Sequence, residues 1–390
     1  MEVRTRLSYW GALSLLVALV LSLGIVMAAC GGEEEPAEET ETTEAAEADT
    51  TESTEAAEEP TSGDDLAELA GEAGIEKVAV VAPEEGTDYG WNQEGVQSTE
   101  ALAGEIGAEV EVADGAGYED VSPILRELAE GGADLLIAWA SGYNTVAPQI
   151  AQETGVPTIV IGAFEQGLVP GLCQDLETQA EKGAYLAGYL AASMSKTGTV
   201  GIVLSADDEN WTKMAGGFVA GAKYADEGID IKMAQIGQAG YADAAGGKRV
   251  TESVISGGAD VVFGMGDGSS FGMIQGVETA TPPQGADKVW FIDVIGDKTE
   301  LDEKGVILTS VVWDYLPLFK ESVRRLADGT FGQEVLYLNL ENDSIKLLQT
   351  EHIPADIWAE VEDVRQQIIA GEIEVPVLSS KSDVEQLIKQ

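Results

Sequence analysis

The fold is decided by two stretches of sequence, LRELAEGGADLLIAWASGYN at residues 125–144 and VTESVISGGADVVFGMGDGSS at residues 250–270. Both have the pattern of a helix that ends in Gly-Gly, followed by Ala-Asp, a buried strand, and a loop that contains Gly and Ser. Around them, short Val- and Ile-rich runs alternate with longer amphipathic stretches. Apolar strands separated by helices are typical of parallel sheets covered on both faces. The repetition predicts an α/β protein with two similar Rossmann-like domains.

Two such domains leave a cleft lined by the loops at the carboxyl ends of their strands. The first of these loops, PEEGTDYGWNQEGVQSTEAL at residues 83–102, lacks the G-x-G-x-x-G pattern of a dinucleotide site, and its acids would repel phosphates. A nucleotide-cofactor enzyme is therefore disfavoured. Asp88, Trp91 and Asn92 instead offer a carboxylate, a flat apolar face and an amide, which suit a heteroaromatic ring. The alternative is that Asn92 caps a helix and Trp91 packs in the core.

Several segments resemble the basic membrane protein family, the nucleoside-binding lipoproteins that feed ABC transporters. They are GTDYGWNQEG at 86–95, EKGAYLAGYLAASMSKTGTVGIV at 181–203, AGGFVAGAKYA at 215–225, GVILTSVVWD at 305–314 and LADGTFGQEVLYLNLEND at 326–343. The resemblance runs in order from residue 76 to about residue 348. It implies a type I periplasmic-binding-protein fold, in which two α/β domains are joined by three hinge strands and a cleft closes on the ligand.

The resemblance also implies roles for single residues. Asp88 and Asn92 match the Asp and Asn that contact the base edge in the family's purine-nucleoside binders, and Trp91 matches the stacking aromatic residue. Asp297, in FIDVIGDK at residues 291–298, is expected to match the second acid of the family's G-V-D-x-D-Q pattern and to accept hydrogen bonds from ribose hydroxyls. The alternative for Asp297 is a role as a helix cap or turn residue.

Other positions depart from the family's pattern. Trp313 stands where the nucleoside binders usually have Lys, and Trp211 lies near the position of a second stacking aromatic residue. Trp139 and Tyr143 follow the third strand, and Asp267 is inserted in the glycine-rich ligand loop. These residues predict a pocket that is richer in Trp and Asp than a purine-nucleoside site. A nucleoside-like solute is expected, with another ring-bearing or sugar-like solute as the alternative.

The N-terminus has the order of a secretory signal: Arg4 and Arg6, an apolar run, and small residues that end at Cys30. The segment Met-Ala-Ala-Cys at residues 27–30 resembles a bacterial lipobox, so Cys30 is expected to carry lipid. The alternative is a transmembrane anchor. The segment after Cys30 is rich in acids and contains no base as far as residue 65, which predicts a disordered tether.

The expected organisation has five parts. They are a lipoprotein signal peptide at 1–29, a lipid anchor with an acidic disordered tether at 30–74, an N-terminal lobe at 75–176 plus about 295–320, a C-terminal lobe at 177–294 plus about 321–350, and a C-terminal helical segment at 351–390.

The expected function is that of a solute-binding lipoprotein on the outer face of the cell membrane, a monomer that delivers its solute to an ABC permease. No cofactor and no metal ion are expected. The net charge of −49 argues against nucleic acid as a partner. One alternative is a tethered sensor that docks on a signalling receptor. Another is an extracellular hydrolase with Asp88 and Asp297 as paired carboxylates. Cys173 is expected to be structural, because a catalytic thiol needs a base and the only histidine, His352, is remote in sequence.

Overall fold

A computed structural model describes residues 63–163 and 165–390 of the chain. The first of its two sheets has six strands in the order β11-β5-β4-β3-β1-β2, all of them parallel to their neighbours. The sheet and the helices that cover it form what we name the first lobe. Its elements are α1 (Gly63–Glu72), β1 (Lys77–Val81), α2 (Trp91–Ile106), β2 (Glu109–Ala113), α3 (Ser122–Glu130), β3 (Leu135–Ala138), α4 (Ala147–Thr154), β4 (Thr158–Ile161), β5 (Cys173–Thr178), α9 (Leu316–Asp328) and β11 (Leu336–Leu338).

The second sheet also has six strands, in the order β12-β10-β9-β8-β6-β7, and only the edge pair β10–β12 is antiparallel. With its helices it forms the second lobe. The elements are α5 (Ala180–Met194), β6 (Thr199–Leu204), α6 (Glu209–Ala225), β7 (Asp230–Gln235), α7 (Ala244–Ser256), β8 (Val261–Met265), α8 (Ser269–Thr279), β9 (Trp290–Ile295), β10 (Ile307–Trp313), β12 (Ile345–Leu347), α10 (Ala355–Ile369) and α11 (Lys381–Lys389).

Within the described residues, the chain crosses between the lobes three times: between β5 and α5, between β10 and α9, and between β11 and β12. This path corrects two of the expected domain ranges. Residues 295–320 were expected in the N-terminal lobe, but β10 pairs with β9 in the second sheet. Residues 321–350 were expected in the C-terminal lobe, but β11 pairs with β5 in the first sheet. The physical reason is that an apolar pattern identifies a buried strand without identifying the sheet that it joins.

The helix α1 corrects the expected end of the acidic tether at residue 74. Leu66 and Ala70 lie one helical turn apart and are buried against the first lobe, where α1 packs on α2 and α9. The predicted signal peptide, Cys30 and the greater part of the predicted tether lie outside the described residues. In the part of the chain that the structure covers, none of the helices is both long enough and apolar enough to cross a membrane.

Candidate functional site

A cavity of about 340 Å³ lies between the two lobes, next to the carboxyl ends of their parallel strands. Trp91, Tyr118 and the loop after β3 line it from the first lobe, together with Glu177 of β5. The second lobe contributes the following residues: Asp208, Asn210, Trp211, Tyr241, Asp267, Ile295 and Trp313. Tyr315, in the crossing between β10 and α9, completes the wall. The volume is within the range of pockets that enclose a small organic molecule.

Trp91 is the first residue of α2 and the one aromatic side chain of that helix that faces the cavity. Its ring stacks on that of Trp139, with centroids 4.3 Å apart and an angle of 20° between the planes. The Trp139 indole donates a hydrogen bond to the Trp91 carbonyl oxygen at 2.8 Å. Trp139 itself is fully buried and does not line the cavity, so it supports Trp91 from behind.

The second lobe provides two further indole rings. Trp313 lies edge-on to Trp91, with centroids 6.2 Å apart and an interplanar angle of 88°, and Trp211 lies 6.1 Å from Trp313. The Trp211 indole donates to the Ser205 hydroxyl at 3.0 Å. The Trp313 indole N–H is buried and finds no acceptor among the described residues.

Asp88 and Asn92 do not line the cavity, contrary to expectation. The Asp88 carboxylate accepts hydrogen bonds from the amides of Gly90, Asn92 and Gln93, and from the Asn92 side chain at 2.8 Å. The Asn92 side-chain oxygen accepts from the Glu84 amide at 3.1 Å. Both side chains are therefore occupied in building the start of α2. Their contribution to the site is to position Trp91.

Asp297 is also placed differently from the expectation. It is exposed, and its carboxylate accepts from the Thr299 amide and hydroxyl in a separate shallow pocket that also contains His352. The residue that lines the cavity at the end of β9 is Ile295, whose φ of 67° lies in the left-handed region. The family's pattern G-V-D-x-D-Q has its two acids two residues apart, so with Asp293 as the first acid the second position falls on Ile295. The separation of Asp297 from the cavity also removes the support for a pair of catalytic carboxylates.

Asp267 lies in the loop between β8 and α8 and reaches across to the first lobe. Its carboxylate accepts a hydrogen bond from the Trp91 amide at 3.3 Å. The pKa of Asp267 is raised to about 7. Burial is the largest cause of this rise, and the negative charge of Asp88 is the second. Asp267 therefore titrates near neutral pH, which is unusual for a carboxyl group.

The lobes touch at the mouth of the cavity. Tyr89 of the first lobe and Phe271 of the second meet edge to face, with ring centroids 6.2 Å apart. A Cβ atom added to Gly296 would lie 2.5 Å from the Tyr89 carbonyl oxygen, so the approach of the two backbones requires glycine. On the other side of α2, the Glu94 carboxylate accepts from the Tyr315 amide at 3.0 Å and ties the helix to one of the crossings.

A buried ion pair lies behind the loop that carries Asp267. The Lys298 ammonium is 2.7 Å from the Asp293 carboxylate, and both side chains have no exposed surface. The Ser270 hydroxyl, in the first turn of α8, donates to the same carboxylate at 2.9 Å. Breaking such a pair would leave a buried charge without a partner, which costs about 3–5 kcal/mol. The pair therefore fixes the end of β9 relative to the start of α8.

Two further predicted positions are structural. Tyr143 is buried away from the cavity, and its hydroxyl donates to the Gly117 carbonyl oxygen. Cys173 is fully buried in β5, and burial raises its pKa to about 12, so its thiol stays protonated. His352 lies in the shallow pocket with Asp297. The pairing of Cys173 with His352 as nucleophile and base has no support in this arrangement.

The sequence interpretation missed several residues that line the cavity, chiefly Tyr118, Glu177, Asp208, Tyr241 and Tyr315. Asp208 could have been found, because it lies in the loop after strand β6 and caps helix α6, where its carboxylate accepts the amides of Asn210 and Trp211. Tyr315 had no such signal, because its place depends on where the chain crosses between lobes.

Comparison with known proteins gives consistent results along the chain. The family model described as ABC transporter substrate-binding protein PnrA-like matches residues 75–379. Basic membrane protein D of Borreliella burgdorferi is 23% identical over 324 residues, which are 81% of this chain and 91% of that protein. The ABC transporter nucleoside-binding protein BmpA of Lactococcus lactis is 28% identical over 205 residues, which are 50% of this chain and 58% of that protein.

A solved structure supports the fold. The ABC transporter solute-binding protein of Conexibacter woesei superposes with a TM-score of 0.65 and 22% identity, over 78% of this chain and 99% of that one. Together with the two mainly parallel sheets and the three crossings, this confirms the expected type I periplasmic-binding-protein fold. Since the family model covers most of the described residues, the chain belongs to the Bmp family of PnrA-like ABC transporter substrate-binding proteins.

Proposed function

We propose that this substrate-binding protein captures a nucleoside-like, ring-bearing solute outside the cytoplasm and delivers it to the permease of an ABC importer, while lipid on Cys30 anchors it to the cell membrane. The observation that carries the proposal is the aromatic cavity between the lobes. Trp91 enters it from the first lobe, and Trp211 and Trp313 enter it from the second. Stacking of a base on an aromatic side chain is worth roughly 1–3 kcal/mol.

The name of the Lactococcus lactis relative, a nucleoside-binding protein, supports the same class of solute. The sugar side of the site departs from the family's pattern, because Ile295 has no acceptor for a ribose hydroxyl. Several neutral polar residues line the cavity, among them Ser141, Thr178 and Asn210, and we assign the sugar contacts to these. Recognition of the ring therefore provides the larger share of the affinity, and the sugar contacts provide less.

Closure of the two lobes completes the site. The Trp91 ring belongs to one lobe and the Trp313 ring to the other, and the two meet edge to face, so this aromatic contact forms only when the lobes meet. The contacts of Tyr89 with Phe271 and of Trp91 with Asp267 are the ones that form on closure. A closed, loaded form presents a single outer surface that a permease can recognise.

The test is native mass spectrometry of the full chain, purified without added solutes, followed by identification of any small molecule that it releases. We expect one ring-bearing solute per chain, and calorimetric binding when that solute is added back to the emptied protein. Purified protein that holds no small molecule and binds none of the common nucleosides would contradict the proposal. Conversion of a nucleoside or glycoside to products would instead identify an enzyme.

A further inference from the structure

The wall of the cavity is acidic. Glu177, Asp208 and Asp267 line it, and among the residues that the structure describes no Lys, Arg or His does so. Removing an ionised carboxylate from water is costly unless an opposite charge or several hydrogen-bond donors replace the water. A solute with a phosphate or carboxylate group would face three carboxyl groups, so the cavity disfavours anions.

The carboxylates differ in how far the protein satisfies them. Asp208 accepts the amides of Asn210 and Trp211 and the hydroxyl of Tyr241 at 2.9 Å. Asp267 accepts only the long bond from the Trp91 amide at 3.3 Å. Within residues 63–163 and 165–390, no donor is hydrogen-bonded to its second oxygen. Asp267 is thus the carboxylate of this cavity with spare capacity for a ligand.

Among the described residues, no Lys, Arg or His forms an ion pair with Asp267. Asp88 and Glu84 of the first lobe face it and raise its pKa, and the hydroxyls of Tyr118 and Tyr241 are close by. Lys298 acts in the opposite direction, but its ammonium is already paired with Asp293. A proton or a cationic ligand is what this surrounding favours at Asp267.

The remaining walls suit a cation with a ring. Three indole rings line the cavity, and among aromatic side chains indole attracts cations most strongly. Trp313 is 2% exposed, and its ring forms part of the cavity wall. A flat molecule with a positive nitrogen would suit both the indole rings and Asp267.

We propose that the solute is an organic cation: a ring that carries a positively charged nitrogen, bound with this charge at Asp267 and with its flat faces among the indole rings of the cavity. The inference rests on the proposed function, since it assigns the chemical class of the solute held in the same cavity. Asp267 is then the residue that selects a cationic ring over a neutral one.

Two nucleosides of the same shape test the charge directly. Nicotinamide riboside has a permanently positive pyridinium ring and a carboxamide acceptor, whereas benzamide riboside has the same outline and a neutral ring. Calorimetry on the full chain, emptied of co-purified solute, is expected to show at least about tenfold tighter binding of nicotinamide riboside, because its ring charge is attracted to the Asp267 carboxylate. The Asp267→Asn variant should bring the two affinities to within about threefold of each other.

Asp297→Asn is the matched control, because it removes the same charge at an exposed site outside the cavity. It should keep the preference for nicotinamide riboside. Melting temperatures of both variants show whether either substitution disturbs the fold, and retained binding of benzamide riboside by Asp267→Asn shows that the cavity still forms.

The dependence of affinity on pH provides an independent test of the role of Asp267. Since a proton and the cation compete for Asp267, the affinity for nicotinamide riboside should be full above pH of about 7 and should fall below it, while that for benzamide riboside stays nearly constant.

Equal binding of the two ribosides, or tighter binding of benzamide riboside, would overturn the cation inference and leave the proposed nucleoside-like function supported. A preference that survives in Asp267→Asn would overturn the assignment to Asp267. If neither riboside binds, the cation inference fails as well, and the proposed function is then judged separately by the co-purified solute.

Discussion

Trp91 combines a ligand-facing side chain with a structural contact. One face of its ring lies on Trp139 and its edges meet Trp313 and Tyr315, while the side chain remains partly exposed to the cavity. We expect Trp91→Ala to weaken solute binding at least about tenfold, because one stacking surface is lost. The empty protein should also lose about 1–3 kcal/mol of its free energy of unfolding, since Trp139 becomes exposed. Calorimetry and chemical denaturation measure the two effects.

Trp290→Ala is the control for this substitution. Trp290 is partly buried at the start of β9, where it contacts His352 and Lys288 away from the cavity. It should lose stability without losing affinity. Unchanged affinity in Trp91→Ala would remove Trp91 from the proposed binding surface.

At the residue scale, the sequence predicts aromatic and acidic residues at strand ends, and Trp91, Trp211, Asp267 and Trp313 do line the cavity. The sequence does not distinguish these cavity residues from Asp88 and Asn92, which lie beside Trp91 and have equally suitable side chains. Those two residues satisfy each other and the backbone of α2 instead. Local hydrogen bonds of this kind compete with ligand contacts, and residue type alone cannot decide the outcome.

At the scale of elements, the approach of two loops controls closure. The end of β9 at Gly296 meets the loop before α2 at the Tyr89 carbonyl oxygen, with no room for a Cβ atom. We expect Gly296→Ala to destabilise the closed form by about 1.4 kcal/mol or more and therefore to weaken solute binding roughly tenfold. Stopped-flow kinetics should assign most of the change to faster dissociation.

Gly237→Ala provides the comparison, since a Cβ atom there would meet nothing within 4 Å. It should bind the solute as the unchanged protein does. Equal dissociation rates for the two variants would show that the contact between Gly296 and Tyr89 does not limit closure.

Most elements are predictable from apolar runs, and β5 shows where this approach fails. The strand has the sequence CQDLET and contains Gln174, Asp175 and Glu177, although it is buried in the first sheet. Asp175 accepts the amides of Ala163 and Glu165, and burial raises its pKa to about 6. Polar side chains that serve neighbouring loops in this way interrupt the hydrophobic pattern of a strand.

At the scale of the whole molecule, the family and its fold are predictable because ordered motifs extend over most of the chain, and both are confirmed. The assignment of the last third of the chain to the two lobes is not predictable, because β10 and β11 join their sheets through pairings distant in sequence. Strand pairings between segments that are far apart in the chain leave no signal in the local sequence.

The proposed lipid anchor also belongs to this scale. We expect Cys30→Ser to move the protein from the membrane fraction to the soluble fraction, because the substitution removes the only proposed attachment point. Cell fractionation with immunoblotting measures this. Cys173→Ser is the control, since that cysteine is buried in β5 and should leave the protein membrane-bound. A membrane-bound Cys30→Ser protein would point to retention of the apolar N-terminal run.

The indole rings at the junction of the lobes give the protein a built-in optical signal. Trp91, Trp139, Trp211 and Trp313 form a connected series in which successive centroids are 4.3 to 6.2 Å apart. At such separations excitation passes readily from one indole to the next, so quenching at any member lowers the emission of all. Binding of a solute next to this series is therefore visible as a change in intrinsic fluorescence, and candidate solutes can be screened without attaching a dye.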